Sequence, residues 1–401
     1  MEFSSRYDFV VFGEHPAGLW AALRLLELEK KVMVLPLGNE SGMNAVPRVV
    51  LRDFDWKDAA DSARESGPIQ ILTPERRFRV GTTTADLESE FEFQFGSKPS
   101  SEVSPEILRG LAYLARGAEN GPVFSDDFGL WAHRALDTVY IEKERGFLVQ
   151  KMLGVLRDKG AHIARTGQLK QIFVDKKCLV GVQLEGAAQM ISASAGLICS
   201  NYDSVKGLIN ESLPSGSEPI GWNFEMGFEC AVSALPEGLS GRMLYIQPGA
   251  PILEILQQVR GQFLLRTPLP ISPESLERSF QRRLCERMIK VCERIIPDLE
   301  YNLRKVVPDL RDPERTESVD LPRIFPFQDP HRIPLGRLFY GSSRSLGHQS
   351  PIQNLFIASE ESHPRVGLRG AFQAAVQVFE SLNKRDQVNH YLSASHVNEF
   401  H

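Results

Sequence analysis

The chain has 401 residues, of which 42% are hydrophobic and 24% charged, a composition typical of a globular protein with two domains or one two-lobed unit. Its formal net charge of −5 excludes a general electrostatic attraction to nucleic acid or to an acidic membrane. The five cysteines are scattered without a C-x-x-C pair, which argues against a disulfide framework or a zinc site and favours the reducing cytosol. No stretch resembles a signal peptide or a spanning helix, so we expect a cytoplasmic protein with at most peripheral membrane contact.

The first 35 residues predict a strand, a tight turn, a helix and a second strand. Residues 7–12 form an apolar, β-rich run, as expected of a buried parallel strand. Pro16 suits the first turn of a helix that ends near Lys30, and residues 31–35 form the second strand. This order within about 30 residues indicates the βαβ unit of dinucleotide-binding folds.

The rest of the chain is predicted to alternate sheet and helix. The expected elements are sheet at 68–84, helices at 105–116 and 145–159, strands up to 201, strands within 218–267, a helix from Ser272 to about Ile296, irregular chain over 307–335, a strand at 354–359 and a helix at 366–382. Phe91, Phe93 and Phe95 repeat with a period of two, for which core packing is the default interpretation and the lining of a pocket the alternative.

Three separated segments resemble the FAD-dependent phytoene desaturase and flavin amine oxidase superfamily: residues 7–35, residues 145–186 followed by 196–201, and residues 350–382. The resemblance implies an α/β fold, in which a Rossmann-like FAD/NAD(P)-binding domain carries an inserted mixed-sheet substrate domain. The implied boundaries are 1–65, 140–210 and 336–385 for the nucleotide-binding domain, 66–139 and 211–335 for the substrate or cap domain, and 386–401 for a polar tail.

The turn Gly13–Gly18 departs from the G-x-G-x-x-G pattern of this superfamily at its middle glycine, which is His15 here. In the pattern, the first glycine makes the turn, the second lets main chain approach the pyrophosphate, and the third allows close packing. The resemblance assigns cofactor contact to Gly13, His15, Pro16, Ala17 and Gly18. Three interpretations stay open: the imidazole blocks the dinucleotide, it hydrogen-bonds a phosphate, or it is a surface histidine that binds nothing.

The adenosine end of the implied site lacks two expected features. Relatives carry an acid at the end of the second strand for the ribose hydroxyls, and here no carboxylate follows that strand before Glu40. The family's glycine pair is also missing. Arg48 takes the place of the family's arginine, or it is a solvated or salt-bridged side chain.

The C-terminal segment keeps more of the pattern. By resemblance, Glu360 is the acid that meets the ribityl or pyrophosphate region, and Ser359 replaces a glycine. Gly367 and Gly370 open a helix whose N–H groups face the flavin in the family. The alternative is a capped helix packed on a sheet, with its acidic residues complementing the helix dipole. No catalytic residue is assigned, and no metal site is expected.

Three functions are consistent with these features. The first is an FAD-dependent oxidoreductase, in which flavin accepts a hydride from an apolar or amine substrate held between two lobes. The second is a cofactor-free descendant that binds a lipid-like molecule or a protein partner. The third is a flavoprotein that uses FMN, since the flavin end is better preserved than the adenosine end. Nucleic acid is not an expected partner.

Overall fold

The computed structural model describes residues 4–38, 45–54, 69–81, 84–95, 104–116, 135–136, 138–140, 146–200, 202–210, 219–307, 338–340, 348–363 and 368–397. The chain divides into two compact units. Unit 1 consists of Met1–Met43, Leu148–Ser217 and Ser342–His401, and unit 2 of Asn44–Phe147 and Glu218–Gly341. Compared with the implied boundaries, residues 44–65, 140–147 and 336–341 fall in unit 2, and residues 211–217 and 386–401 fall in unit 1.

The strands have the following bounds in chain order. They are β1 Arg6–Phe12, β2 Val32–Leu35, β3 Ala45–Pro47, β4 Ile69–Leu72, β5 Arg77–Val80, β6 Thr138–Tyr140, β7 His162–Ile163, β8 Leu169–Asp175, β9 Cys178–Leu184, β10 Ile191–Ile198, β11 Pro219–Cys230, β12 Arg242–Tyr245, β13 Leu253–Val259, β14 Gln262–Pro270, β15 Leu303–Val307, β16 Leu338–Tyr340 and β17 Leu355–Ile357.

The helices follow the same order. They are α1 Pro16–Glu27, α2 Arg48–Asp53, α3 Thr84–Phe95, α4 Pro105–Arg116, α5 Phe147–Asp158, α6 Tyr202–Lys206, α7 Pro273–Leu276, α8 Arg278–Glu293, α9 Leu299–Asn302 and α10 Leu368–Val397. Across the described ranges, every helix is too short or too polar to cross a bilayer.

Unit 1 is built on a mixed sheet in the order β7-β2-β1-β10-β9-β8, with β17 paired to β10. Strand β1 runs parallel to β2 and β10, and β10 runs parallel to β17. Phe12 lies opposite Leu35 on one side and Ile198 on the other, and Ile198 lies opposite Ile357. The carboxyl ends of these four parallel strands therefore meet at one edge, where ligands bind in open α/β sheets.

The core of unit 1 explains why these segments pair. Val10, Val11 and Phe12 are fully buried, as expected of a parallel strand covered on both faces. Helix α1 covers the sheet with an apolar stripe that includes Leu19 and Leu23, and it also packs against α10. The predicted βαβ unit is thus present with the expected order and direction.

Unit 2 contains an eight-stranded sheet in the order β15-β11-β14-β13-β12-β4-β5, with β16 paired to β11. Its pairs are antiparallel except for β12 and β4, which run parallel. One buried cluster joins the sheet residue Leu244 to Leu111 of α4, and another joins Phe224 to Met288 of α8. The two clusters show that helices cover both faces of this sheet.

Three elements differ from the sequence-based expectations. The period-two phenylalanines lie on helix α3, so Phe91 is buried whereas Phe93 is 82% exposed. The helix capped by Ser272 stops at Leu276 and restarts at Arg278, because Glu277 between them is extended. Helix α10 continues to Val397, so most of the expected polar tail is helical.

Candidate functional site

Gly13 places the end of β1 at the carboxyl edge of the unit 1 sheet. Its φ of +106° is open to glycine but strained for other residues. Its N–H donates to the carbonyl oxygen of Leu35 at 2.9 Å. A Cβ on Gly13 would lie 2.8 Å from Cβ of Ser200. The turn therefore needs glycine both for its conformation and for the close approach of β10.

Gly18 holds the start of α1 against the same edge. A Cβ at this position would lie 2.4 Å from both Cβ and Sγ of Cys199. Such distances are far shorter than van der Waals contact, so a side chain would push α1 away from β10. The helix N-terminus is thereby fixed beside the ends of β1 and β10.

His15 is the N-cap of α1 and folds back onto its own helix. Its Nδ1 accepts a hydrogen bond from the N–H of Ala17 at 3.2 Å, and the residue is only 4% exposed. Pro16 has no N–H, and the N–H of Gly18 donates to the carbonyl oxygen of His15 at 2.9 Å. The first turn of α1, which ordinarily leaves N–H groups available to a ligand, therefore satisfies its donors internally.

The same imidazole faces the acid of the C-terminal segment. Nε2 of His15 lies 3.8 Å from Oε1 of Glu360. Because Nδ1 accepts from Ala17, it carries no proton, and we infer a neutral ring whose proton sits on Nε2. The contact is therefore the approach of a neutral imidazole to a carboxylate at 3.8 Å, and not a full ion pair. It brings together two residues that are 345 positions apart in sequence.

Glu14 is a further buried residue of this turn, and it was not among the residues predicted from the sequence. The residue is 7% exposed, and its carboxylate accepts hydrogen bonds from the N–H groups of Leu37 and Gly38, just beyond β2. Burial raises the pKa of this carboxyl, while the two N–H donors act in the opposite direction. The sequence feature that could have identified Glu14 is a charged residue in a turn directly after a buried strand. A charged side chain that becomes buried in such a turn needs a specific partner.

The pH dependence of stability tests the burial of Glu14. Replacing it with glutamine keeps an acceptor for Leu37 and Gly38 but removes the ionisable group. Because the folded-state pKa lies above the ordinary value of 4.5, protonation of Glu14 favours the folded state. We expect the wild type to lose stability relative to Glu14→Gln as the pH rises from 4.5 through the raised pKa. Thermal unfolding at several pH values measures this, and a constant difference would contradict it.

The C-terminal segment is tied to the sheet by its own hydrogen bonds. Ser359 follows β17, and its N–H donates to Oγ of Ser362 at 3.3 Å. Oε1 of Glu361 accepts from the N–H of Tyr202 at 2.9 Å, and Glu361 is buried. Glu361 therefore joins the loop after β17 to the chain after β10. The sequence-based alternative, in which the acidic residues complement the helix dipole, did not include this structural role.

Helix α10 begins against this loop. A Cβ on Gly370 would lie 2.6 Å from the carbonyl oxygen of His363, so glycine is required for the close approach.

Two other residues considered from the sequence, Gly367 and Glu40, lie outside the described residues. Arg48 is an exposed residue at the start of α2, and it belongs to unit 2.

Two buried hydroxyls lie at the ends of neighbouring strands. Ser200 and Ser359 follow β10 and β17 at matching positions, since Ile198 lies opposite Ile357. Within the described ranges, neither Oγ has a hydrogen-bond partner, although both residues are buried. Buried hydroxyls without partners are uncommon, and they mark positions that a ligand or a water molecule would complete.

Comparisons with known proteins concern the fold of the chain as a whole. No protein-family model and no curated protein matches the chain. An oxidoreductase from Methanosarcina mazei has a TM-score of 0.57 at 13% identity, covering 93% of this chain and 99% of its own. L-proline dehydrogenase from P. horikoshii has a TM-score of 0.53 at 14% identity, with 95% and 94% covered. A probable FAD-dependent monooxygenase from Pseudomonas aeruginosa reaches 0.50 at 12%, with 94% and 86% covered.

The chain has the fold of FAD-dependent oxidoreductases. The expected fold class, an FAD-binding Rossmann-like α/β fold with a second mixed sheet, is confirmed. The matching structures include a dehydrogenase and a monooxygenase, so the likeness is not specific to phytoene desaturases or amine oxidases. At such low identity the likeness concerns the fold, and activity is a separate question.

The residues at the start of α1 do not fit an FAD molecule in the pose that the dinucleotide pattern implies. In that pose the pyrophosphate rests on free N–H groups at the helix N-terminus. Here the N–H of Ala17 is held by His15, and the carboxylate of Glu360 lies beside the imidazole. A diphosphate at this point would meet the imidazole of His15 in place of a free hydrogen-bond donor.

Proposed function

We propose that this chain is a cytoplasmic, cofactor-free binding protein built on the fold of FAD-dependent oxidoreductases, with a lipid-like molecule or a protein as its partner. The observation that carries the proposal is the hydrogen bond from the N–H of Ala17 to Nδ1 of His15. That bond occupies the donor that a pyrophosphate would need, and burial of the imidazole at 4% exposure keeps it in place. The glycines that shape the turn remain, so the fold is kept while the anion contact is lost.

The absorption spectrum of the purified protein tests the proposal. We expect a colourless protein with no flavin band in the visible range and no heat of binding when FAD or FMN is added. A His15→Gly variant keeps a tolerated N-cap residue, so it serves as a folded comparison in the same titrations. A yellow wild-type protein that releases FAD on denaturation would contradict the proposal.

The second candidate function is an FAD-dependent oxidoreductase of the phytoene desaturase or amine oxidase type, acting on an apolar or amine substrate. The buried hydroxyls of Ser200 and Ser359 favour it, because a ligand at the carboxyl edge would supply the partners they lack. The same spectrum distinguishes the two candidates, since this one requires bound flavin. Uptake of FMN without FAD would indicate instead that only the flavin end of the site is in use.

A further inference from the structure

Two adjacent residues in the turn after β1 occupy main-chain donors at two separate places. His15 accepts from Ala17 at the start of α1, and Glu14 accepts from Leu37 and Gly38 beyond β2. These places correspond to the pyrophosphate position and the adenosine ribose position of the dinucleotide pattern. Both side chains come from the segment that, in the pattern, presents bare main chain to the ligand.

The donors beyond β2 are the N–H groups of two consecutive residues. The N–H groups of Leu37 and Gly38 are consecutive and converge on one carboxylate, and Gly38 has a positive φ of +77°. Main-chain N–H groups donate to a hydroxyl oxygen as well as to a carboxylate oxygen. Glycine is favoured at position 38 by this positive φ, and a Cβ there would also lie 2.9 Å from Cγ2 of the exposed Thr166 side chain.

We propose that Glu14 and His15 together form an internal ligand, which closes a latent site for the ADP portion of a dinucleotide at two points at once. This inference rests on the proposed function and states how the site is closed. Either side chain alone is sufficient to exclude ADP. His15 occupies the N–H group at the pyrophosphate position, and Glu14 occupies the N–H groups at the ribose position. Removing both side chains exposes the N–H groups of Ala17, Leu37 and Gly38 to one bound ADP molecule.

Isothermal titration with ADP as the probe tests the two-point closure. The proteins are the wild type, Glu14→Ala, His15→Gly, the double variant, and Glu185→Ala as an exposed control in the same unit. We expect the double variant to bind ADP about tenfold or more tightly than either single variant, since coupled residues are not additive. The control is expected to behave as the wild type does.

Amide hydrogen exchange gives a readout that does not depend on ligand binding. In the wild type the amides of Ala17, Leu37 and Gly38 should be protected, and Glu14→Ala should release Leu37 and Gly38 but not Ala17. His15→Gly should release Ala17 alone. Free exchange of these amides in the wild type would overturn the inference, whatever the variants do.

The two proposals fail in different ways. Uptake of FAD by the wild type contradicts the cofactor-free function, while the exchange pattern still decides whether Glu14 and His15 hold their donors. A folded double variant that rejects ADP overturns the internal ligand and leaves the cofactor-free function standing. Loss of ADP binding in Glu14→Ala, from a wild type that binds it, would make Glu14 a ribose-binding acid and would also overturn the inference.

Discussion

Replacing Glu254 with alanine is expected to lower the free energy of unfolding by about 3–5 kcal/mol, because a buried arginine then loses its carboxylate. Nε of Arg242 donates to Oε1 of Glu254 at 2.8 Å, and both residues are 4% exposed. The hydroxyl of Tyr113 donates to Oε2 of the same carboxylate at 3.2 Å. Denaturant unfolding followed by circular dichroism measures the change.

The charged state of Glu254 supports a large loss in the free energy of unfolding when this residue is replaced. Burial opposes the charged form, but the guanidinium groups of Arg242 and Arg266 outweigh it and lower the pKa of the carboxyl. Arg266 lies opposite Glu254 on β14, and it also pairs with Glu225 at 2.8 Å. Charges thus alternate across neighbouring strands of one sheet face, so the loss of one carboxylate affects several partners.

An exposed ion pair on α8 provides the matched control for Glu254. Arg282 and Glu286 approach to 3.3 Å, and both side chains are 55% exposed. Glu286→Ala is expected to change the free energy of unfolding by no more than about 0.5 kcal/mol, because solvent screens the pair. Replacing Arg242 and Glu254 together with methionine should cost less than Glu254→Ala alone. Equal losses for Glu254→Ala and Glu286→Ala would contradict a buried network.

The βαβ unit was predictable because its signals are local. The apolar run Val10–Phe12, the proline at position 16 and the apolar stripe of α1 each act within a few residues. Gly13 and Gly18 were also identifiable, since backbone conformation and helix packing at this turn demand glycine. Their roles in the structure follow from contacts with Ser200 and Cys199, which lie far away in sequence.

The contacts of Glu14 and His15 were not predictable in the same way. From the sequence, obstruction by His15 was one of three open interpretations, because the direction of its ring depends on the positions of Ala17 and Glu360. The partners of Glu14 come from another strand, so no local pattern reveals them. On helix α3, core packing, the default interpretation of the three phenylalanines, holds for Phe91 but not for the exposed Phe93, because a period of two does not follow one face of a helix.

Replacing Gly18 with valine is expected to destabilise unit 1 by about 3 kcal/mol, the upper part of the range for overpacked cores. The first added carbon would lie 2.4 Å from two atoms of Cys199, so α1 and β10 must separate. Gly18→Ala introduces the same carbon alone and should cost about 1–3 kcal/mol, despite the higher helix propensity of alanine. Thermal unfolding of the purified variants measures both changes.

Gly154 in α5 supplies a control in which the same substitution has the opposite sign. A Cβ at this position meets nothing within 4 Å, so Gly154→Ala should stabilise the protein by about 0.5–1 kcal/mol through lower chain entropy and better helix propensity. Both glycines lie in helices of unit 1, and they differ in whether a neighbouring strand occupies the space. A gain in stability for Gly18→Ala would mean that α1 does not rest on β10. The N-terminus of α1 would then have no fixed place at the carboxyl edge, and the closure by His15 would lose its structural basis.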